Sequence, residues 1–356
     1  MTIHHSLSRK ELEMKFFKFS LCSVLLLAVG SLSLHAQLKL NGAGATFPNV
    51  IYSKWFDVYH TKTGIQFNYQ SIGSGGGIKQ VTEGTVDFGA SDGPMSPEQM
   101  KDLETKQGTE ILHIPTVMGA VVVTYNVPEI GAGLKLTPDV LAGIYLGEVV
   151  KWNDLKIAAI NKGMNLPDAQ IVVAHRSDGS GTTFIFSDYL TKVSKDWASK
   201  VGKGTSVNWP VGLGGKGNEG VSGLVKQTPG SIGYVELAYA VKNNLPYAAM
   251  KNKAGVYVEA SLESVTAAAA GGAKSMPTDL RVSITDADGK TSYPISGFTW
   301  LLVYKQMKNK EKGAALVKFL HWAMSDGQAY AKDLLYAPLP KDVVKLCEGK
   351  INMIKY

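Results

Sequence analysis

Three parts of this sequence share one pattern: a short apolar run, a glycine-containing loop with a serine or threonine, and the start of a helical repeat. The loops carry Thr46, Ser74 and Ser180. In an open α/β sheet, loops of this kind gather at the carboxyl ends of the strands, where ligands bind. Glycines in such loops cost backbone entropy that a purely structural turn would avoid. The sequence therefore predicts an α/β fold in which three distant loops form one ligand site.

The loop that carries Ser180 is the richest in hydrogen-bond donors. The apolar run over residues 171–174 predicts a buried strand before it, and apolar residues at helical spacing predict a helix after it. Arg176 supplies a planar fork of N–H donors, and Ser180 and Thr182 supply hydroxyl groups. Free amides and the positive end of the helix dipole add to these donors. This loop is therefore typical of an oxyanion-binding segment.

A capped helix start without a ligand is the alternative interpretation of the same loop. Ser180 and Thr182 would then only accept hydrogen bonds from the first amides of the helix. Arg176 would pair with Asp178 as a surface ion pair of little energetic value. The local sequence is compatible with both interpretations.

The first 36 residues have the layout of a secretory signal peptide. Lysines precede a run without charged residues over positions 19–34, and Ala36 ends the segment with a small side chain. The run is about 16 residues long, which is short for a membrane span. We therefore predict that residues 1–36 are a cleaved signal peptide, with Met1 or Met14 as the start, and that the mature protein is exported.

Composition narrows the class of protein further. Apolar residues make up 45% of the chain, and the segment after residue 36 is long enough that two domains are expected. That segment contains one cysteine, Cys347, so its stability has to come from burial and not from an internal disulfide. The formal net charge is +7, but the charges are scattered and form no Lys/Arg runs of the kind that bind nucleic acid. We therefore predict no nucleic-acid partner.

Enzymatic and cofactor-dependent functions have weaker support. Residues 212–217 match a dinucleotide-binding glycine pattern, but Trp209 and Pro210 precede them where a strand should stand, so we assign this run to loop packing or a hinge. The seven histidines are dispersed, without the spacing of metal ligands. The glycines around Ser180 lack the spacing of a nucleophile elbow. We predict no cofactor and no metal, and a phosphate-ester hydrolase is the less favoured alternative.

Six motifs together resemble the periplasmic phosphate-binding proteins of ABC-type high-affinity phosphate transporters. They lie at residues 42–48, around Ser74, and at residues 86–92, 176–182, 212–220 and 229–235. The resemblance implies an α/β, two-lobe periplasmic binding protein (type II) fold in which the chain crosses between the lobes twice. It implies lobe I at residues 37–124 and 294–356, and lobe II at residues 125–293.

The same resemblance implies a phosphate site and a role in transport. It assigns phosphate contacts to Thr46, Phe47, Ser74, Asp92, Arg176, Ser180, Gly181 and Thr182. It implies that Asp178 supports the site by pairing with Arg176. It also implies a periplasmic, monomeric binding protein that delivers phosphate to the permease subunits of an ABC transporter in the inner membrane. Another oxyanion, such as sulfate or molybdate, is the alternative ligand.

Asp92 is the unusual member of this set, because a carboxylate repels an anion. Phosphate keeps at least one proton near neutral pH, which a carboxylate can accept, whereas sulfate has none. Two like charges about 4 Å apart cost roughly 4 kcal/mol at an effective dielectric constant of about 20. We therefore predict that Asp92 selects phosphate by repelling a fully ionised anion. A simple turn-capping role is the alternative for this residue.

Overall fold

The structure is a computed structural model that describes residue 1, residues 37–274 and residues 276–356. The predicted signal peptide lies almost wholly outside these residues. Residues 38–356 form one compact unit. Among the described residues, no helix combines the length and the apolar character that crossing a bilayer requires.

The described chain begins with three strand–helix pairs and then a long strand. These elements are β1 (Lys39–Gly44), α1 (Asn49–Thr63), β2 (Gln66–Ser71), α2 (Ser74–Glu83), β3 (Phe88–Ser91), α3 (Pro97–Gln107) and β4 (Ile111–Asn126). Residues 65–69 and 86–90 alternate between apolar and other side chains, which predicts strands, and these stretches overlap β2 and β3. Helix α3 begins with a capping box in which Ser96 and Gln99 each satisfy an amide of the other.

The middle of the chain alternates strands with shorter helices. In order these are β5 (Lys135–Leu136), α4 (Pro138–Tyr145), α5 (Leu155–Ile160), β6 (Val172–Arg176), α6 (Gly181–Val193), α7 (Lys195–Lys200), β7 (Leu213–Gly215), α8 (Gly217–Gln227), β8 (Ser231–Glu236), α9 (Leu237–Lys242), β9 (Ala249–Lys251), β10 (Tyr257–Val258) and α10 (Leu262–Lys274). The glycine-rich run at residues 212–217 differs from our prediction of a loop. It contains β7, whose backbone pairs with β6.

The chain returns to the sheet before it ends in helices. The last elements are β11 (Ser296–Tyr304), α11 (Lys310–Met324), two short 3₁₀ segments (Asp326–Tyr330 and Lys332–Leu334) and α12 (Lys341–Ile351). We did not predict α12, although Val343, Cys347 and Ile351 recur every four residues and are buried. This spacing was a usable helical signal.

Eight strands form one mixed sheet in the order β2-β1-β3-β11-β4-β8-β6-β7. At one end β1 runs parallel to β2 and β3, and at the other end β6 runs parallel to β8 and β7. Between them β11 and β4 are antiparallel to their neighbours. A second sheet has the order β10-β9-β5. This arrangement of strands and helices confirms the predicted α/β class.

Strand β4 lies in the middle of the large sheet and joins its two halves. Its residues 111–115 and 117–120 pair with β11, and its residues 121–126 pair with β8. All but the last of its residues are buried, as expected for a strand that is covered on both faces. The predicted boundary between lobes at residues 124 and 125 falls inside this strand, and the division into lobes stays a prediction.

Two aromatic clusters support the helices that start near the candidate site. One contains Phe56 of α1, Phe67 of β2 and Phe319 of α11, with ring centroids 4.7 and 4.6 Å from that of Phe67. The other stacks Phe186 of α6 on Tyr234 of β8 at 4.2 Å. Close aromatic packing of this kind adds to the stabilisation from burial. The starts of α1 and α6 are therefore held against the sheet.

Candidate oxyanion-binding site

The three loops singled out in the sequence meet at one place. The backbone N–H of Gly181 donates to the hydroxyl of Ser74 at 3.0 Å, although 107 positions separate the two residues. The Asn218 side-chain amide donates both to Thr46 Oγ1 at 2.8 Å and to Thr182 Oγ1 at 3.1 Å. Loops before α1, α2, α6 and α8 thus contribute to a single cluster of polar groups.

The cluster is removed from solvent. The exposed fraction is 3% or less for Thr46, Phe47, Ser74, Asp92, Arg176, Ser180 and Thr182. Buried polar groups have to be hydrogen-bonded, and buried charges have to be paired, because desolvation is otherwise too costly. Hydrogen bonds join six of the eight predicted site residues directly or through Asn218, and Phe47 and Ser180 are buried beside them in the chain; the six are Thr46, Ser74, Asp92, Arg176, Gly181 and Thr182.

Arg176 at the end of β6 forms a buried ion pair with Asp178. Its Nε donates to Asp178 Oδ1 at 2.8 Å and its Nη2 to Oδ2 at 2.6 Å, while Nη1 donates to Thr182 Oγ1 at 3.3 Å. The Gly217 amide also donates to Asp178. Burial alone would raise the pKa of Asp178, but the Arg176 hydrogen bond and charge outweigh it and lower the pKa. The alternative of a surface ion pair is wrong, because the Arg176 side chain is only 1% exposed.

Asp92 follows the last residue of β3 and is fully buried. Thr299 Oγ1 donates to Asp92 Oδ1 at 2.7 Å, and the Ser74 hydroxyl lies 3.5 Å from Oδ2. Burial raises the pKa of Asp92 to about 7, although the hydrogen bond from Thr299, the charge of Arg176 and the Ser74 hydroxyl each lower it. The carboxyl group is thus poised to exchange a proton near neutral pH.

A bulge between β4 and β11 positions Thr299. The pairing shifts between Thr299, opposite Val117, and Trp300, opposite Pro115, so that Thr116 has no partner in the ladder. Pro115 has no backbone N–H, and prolines in strands are typically found at such irregularities. The hydroxyl of Thr116 instead donates to the Thr299 carbonyl. The bulge therefore lies next to the residue that holds Asp92.

Two tyrosines hold the loop before α1. The Tyr239 hydroxyl donates to the Thr46 carbonyl at 2.7 Å, and the Tyr336 hydroxyl donates to the Phe47 carbonyl at 2.6 Å. Both tyrosines are distant in sequence from this loop. Because the two carbonyl oxygens are satisfied on the protein side, the loop conformation is fixed around the amides that precede α1.

The contacts of Ser180 are those of a helix cap. Its hydroxyl oxygen accepts from the Thr183 amide at 3.0 Å and caps α6, which is the capping role of the alternative. Its own amide donates to the Thr205 carbonyl. The Gly181 amide, which we predicted to contact phosphate, donates to Ser74 in this structure. Phosphate contacts from Ser180 and Gly181 stay predictions.

Four residues of the site were missed in the sequence. Asn218 directly follows the glycine-rich run 212–217 that we assigned to packing and is the second residue of α8, and its place at a helix start after glycines was the available signal. Thr299 was missed because its role depends on the bulge, for which Pro115 in an apolar run was a weak indication. Tyr239 and Tyr336 stand in apolar segments and could not be distinguished from core residues.

The site has the chemistry of an oxyanion cradle. One guanidinium group, several hydroxyls and the amides at helix starts are donors, and Asp92 is a buried acceptor among them. Among the residues that the structure describes, no group of three or more His, Cys, Asp or Glu side chains could hold a metal ion. The arrangement suits binding of a small anion that carries a proton.

Comparisons with known proteins agree with this chemistry. Residues 31–327 match the PBP superfamily domain. The phosphate-binding protein PstS of Pasteurella multocida is 46% identical over 94% of this chain and 95% of its own length. That of Xylella fastidiosa (strain Temecula1) is 47% identical over 88% of this chain and 85% of its own length. The chain belongs to the phosphate-binding protein family.

Membership of the phosphate-binding protein family confirms the resemblance that the six motifs suggested. A solved structure, a high-affinity periplasmic phosphate-binding protein bound with phosphate, aligns with a TM-score of 0.72. The alignment covers 88% of this chain and 93% of that chain at 22% sequence identity. At this identity, the similarity shows a shared fold and nothing further. The predicted type II periplasmic binding protein fold is confirmed.

Proposed function

We propose that this protein binds inorganic phosphate at the cluster of Thr46, Ser74, Asp92, Arg176 and Thr182 and delivers it to an ABC transporter. The observation that carries the proposal is the meeting of these donors in one buried site around a single carboxylate acceptor. The relatives that share nearly half of its sequence are named phosphate-binding proteins.

The donors at the site are sufficient to offset the desolvation of an anion. Burying an anion is costly unless nearly every oxygen accepts hydrogen bonds. The N-termini of α1, α2 and α6 each contribute about 0.3–1 kcal/mol, and up to about 2 kcal/mol when partly buried. Hydrogen bonds to a charged group are worth about 1.5–3 kcal/mol each. Arg176 is pre-aligned by Asp178, so little of its side-chain entropy is lost on binding.

Asp92 favours phosphate over other oxyanions. Its carboxylate can accept a hydrogen bond from a ligand that keeps a proton, and it repels sulfate, which has none. Thr299 donates to Oδ1 at 2.7 Å, and Oδ2 accepts the longer contact from the Ser74 hydroxyl at 3.5 Å and has a second lone pair for the ligand. This arrangement argues against sulfate as the physiological ligand. A hydrolase is also disfavoured, because the relatives named above are binding proteins.

We propose that two lobes, at residues 37–124 with 294–356 and at residues 125–293, close on phosphate. The site draws residues from both proposed lobes: Ser74 of lobe I contacts Gly181 of lobe II, and Thr46 contacts Asn218. These contacts lie at the site itself. Binding that brings them together would couple occupancy to closure.

The cellular context follows from the same proposal. Residues 1–36 would direct export to the periplasm, where a monomeric mature protein would collect phosphate. The closed form would then dock on permease subunits in the inner membrane. We propose no nucleic-acid partner and no cofactor.

One titration series tests the binding function. The protein lacking residues 1–36 is freed of phosphate and titrated by calorimetry with phosphate, arsenate and sulfate at pH about 8. Phosphate should bind tightly, arsenate should compete because it also keeps a proton, and sulfate should bind weakly or not at all. Equal binding of sulfate, or absence of phosphate binding, would contradict the proposal. A turnover assay with p-nitrophenyl phosphate tests the hydrolase alternative.

A further inference from the structure

Asn218 makes three side-chain hydrogen bonds at the centre of the site. It is the second residue of α8 and is fully buried. Its Oδ1 accepts from the backbone N–H of Glu236 at 2.9 Å. Its Nδ2 donates to Thr46 Oγ1 and Thr182 Oγ1. Because a backbone N–H can only donate, the Glu236 contact fixes the orientation of the amide, so the NH₂ group has to face the two hydroxyls.

These contacts fill the acceptor capacity of both threonine hydroxyls. A hydroxyl oxygen can accept two hydrogen bonds and donate one. Thr46 Oγ1 accepts from Asn218 twice, from Nδ2 at 2.8 Å and from the backbone amide at 3.2 Å. Thr182 Oγ1 accepts from Asn218 Nδ2 at 3.1 Å and from Arg176 Nη1 at 3.3 Å. The only hydrogen-bonding capacity that each hydroxyl retains is its own hydrogen.

The third hydroxyl of the site is saturated in the same way, but by the backbone. Ser74 Oγ accepts from the Asp92 amide at 3.2 Å and from the Gly181 amide at 3.0 Å. Its hydrogen is directed at Asp92 Oδ2, 3.5 Å away. The hydroxyls of Thr46 and Thr182 are therefore the ones that Asn218 leaves with a hydrogen to donate.

We propose that Asn218 is a positioning residue that makes the hydroxyls of Thr46 and Thr182 obligate donors to the bound oxyanion. The inference rests on the proposed phosphate-binding function and extends it to a residue that acts through its neighbours. Without Asn218, each hydroxyl can rotate and present a lone pair to an anionic oxygen.

A double-mutant cycle tests whether Asn218 acts through these hydroxyls. Asn218→Leu removes the amide at similar volume and should raise the phosphate Kd about tenfold, the effect of losing about one net hydrogen bond. In a Thr46→Val/Thr182→Val background the hydroxyls are absent. There the same substitution should change Kd by no more than about twofold, the usual limit of additivity. Calorimetry with inorganic phosphate measures all four proteins.

The outcomes separate this inference from the function on which it rests. If the unsubstituted protein binds no phosphate, both are wrong. If it binds, but Asn218→Leu has no effect or has the same effect in both backgrounds, the positioning role is wrong and the binding function stands. If the Thr46→Val/Thr182→Val protein binds phosphate too weakly to titrate, the cycle is run in a Thr182→Val background instead. There Asn218→Leu should raise the phosphate Kd by only about threefold.

Asn161 provides a matched control. It is also buried and makes three side-chain hydrogen bonds, but to the backbone of Lys135 and Ile157, outside the site. Asn161→Leu should lower the thermal midpoint while leaving the phosphate Kd within about twofold of the unsubstituted value. If leucine at position 218 prevents folding, Asn218→Ala, which cannot clash, is used in the same cycle with the same expected pattern.

Discussion

The amide of Gly181 reaches the hydroxyl of Ser74 across the proposed lobe boundary, at a separation of 3.0 Å. A Cβ atom on residue 181 would lie 2.5 Å from Ser74 Oγ and 2.5 Å from both Cβ and Oδ2 of Asp92. Real carbon atoms do not approach that closely. The close contact of the two loops therefore depends on the absence of a side chain at position 181.

Gly181→Ala should accordingly prevent the loops from meeting. We expect the phosphate affinity to fall at least tenfold, because the donors on α2 and α6 can no longer surround one anion, and a tenfold loss corresponds to about 1.4 kcal/mol. Calorimetry measures the loss. The control is Gly223→Ala in α8, where an added Cβ meets nothing within 4 Å, and which should bind normally and be slightly stabilised. Equal affinities of the two variants would refute the close-contact argument.

Arg176 supplies the only guanidinium described at the site, and its removal should weaken binding. Arg176→Met leaves Asp178 as an unpaired buried carboxylate, so the informative variant is Arg176→Met combined with Asp178→Asn. We expect the phosphate Kd to rise more than about tenfold, since charge-assisted hydrogen bonds are lost. Asp178→Asn alone is the control. If the double variant binds like the control, phosphate binds elsewhere.

Asp92→Asn should relax the selection against sulfate. At pH about 8 the wild-type carboxylate is ionised and repels sulfate, whereas the amide does not, so the variant should bind sulfate at least about tenfold more tightly than the wild type. Burial raises the pKa of Asp92 to about 7. At pH about 5.5 the wild-type residue is protonated, and the two proteins should bind sulfate more equally. Competition titrations at both pH values check this, and an unchanged sulfate affinity at pH about 8 would remove the filtering role.

The same raised pKa makes the stability of the ligand-free protein depend on pH. The ordinary pKa of an aspartate is 3.8 and that of Asp92 is about 7. Between these values the folded protein keeps a proton that the unfolded chain has released, so stability decreases as pH rises through this window. Asp92→Asn lacks this decrease and should be more stable than the wild type at pH about 8, by up to about 4 kcal/mol, with the gap closing toward pH about 4.

Denaturant melts of both proteins, free of phosphate, measure this effect. Burial also raises the pKa of Glu236, and the charge of Asp92 adds to that rise, so the difference between the two proteins reports Asp92 together with its coupling to Glu236. If the difference in the free energy of unfolding between the two proteins does not change with pH, the pKa of Asp92 is not raised.

Asp188 should influence stability in the opposite pH range and leave binding unchanged. Burial alone would raise its pKa, but hydrogen bonds from Lys203, Ser283 and Thr285 and the charge of Lys192 hold the pKa at about 2. A carboxylate with a lowered pKa stabilises the folded state above the unfolded value near pH 4, and this stabilisation is lost as pH falls toward 2.

Asp188→Asn should therefore cost about 1–3 kcal/mol at neutral pH, because two lysines lose a buried partner, although both lysines are partly exposed. The cost should shrink as pH approaches about 2. Denaturant melts measure it, and calorimetry should find the phosphate Kd within about twofold of the wild-type value. A large loss of phosphate affinity would mean that the hydrogen bonds around Asp188 also shape the phosphate site.

The parts of the site that could be predicted from sequence are those whose function is local. Thr46, Ser74 and Ser180 stand in loops whose glycines and hydroxyls carry their own signal, and Arg176 lies within two positions of its partner Asp178. Such features depend on backbone conformation within a few residues, which the sequence reports directly. The α/β class followed from the same local patterns.

The remaining parts depend on long-range pairing. Asn218 contacts Thr46 across 172 positions, and Thr299 contacts Asp92 across 207. Nothing near either residue in the chain indicates its partner, because the contact is set by how strands and helices stack. Tyr239 and Tyr336 resemble core aromatics in sequence, and their hydroxyl contacts arise only in the folded state.

The bulge at Pro115 has a consequence for how ligand preference can change. Pro115 lies in the buried strand β4, outside the cluster of donors, and the shift that accompanies it sits beside Thr299, the residue that holds the Asp92 carboxylate. If Asp92 selects the anion as predicted, the choice between two anions of nearly equal size depends partly on the framework and not only on the groups that touch the ligand. Both mutation during evolution and deliberate engineering could then change selectivity from a framework position, while every hydrogen-bond donor of the site is kept.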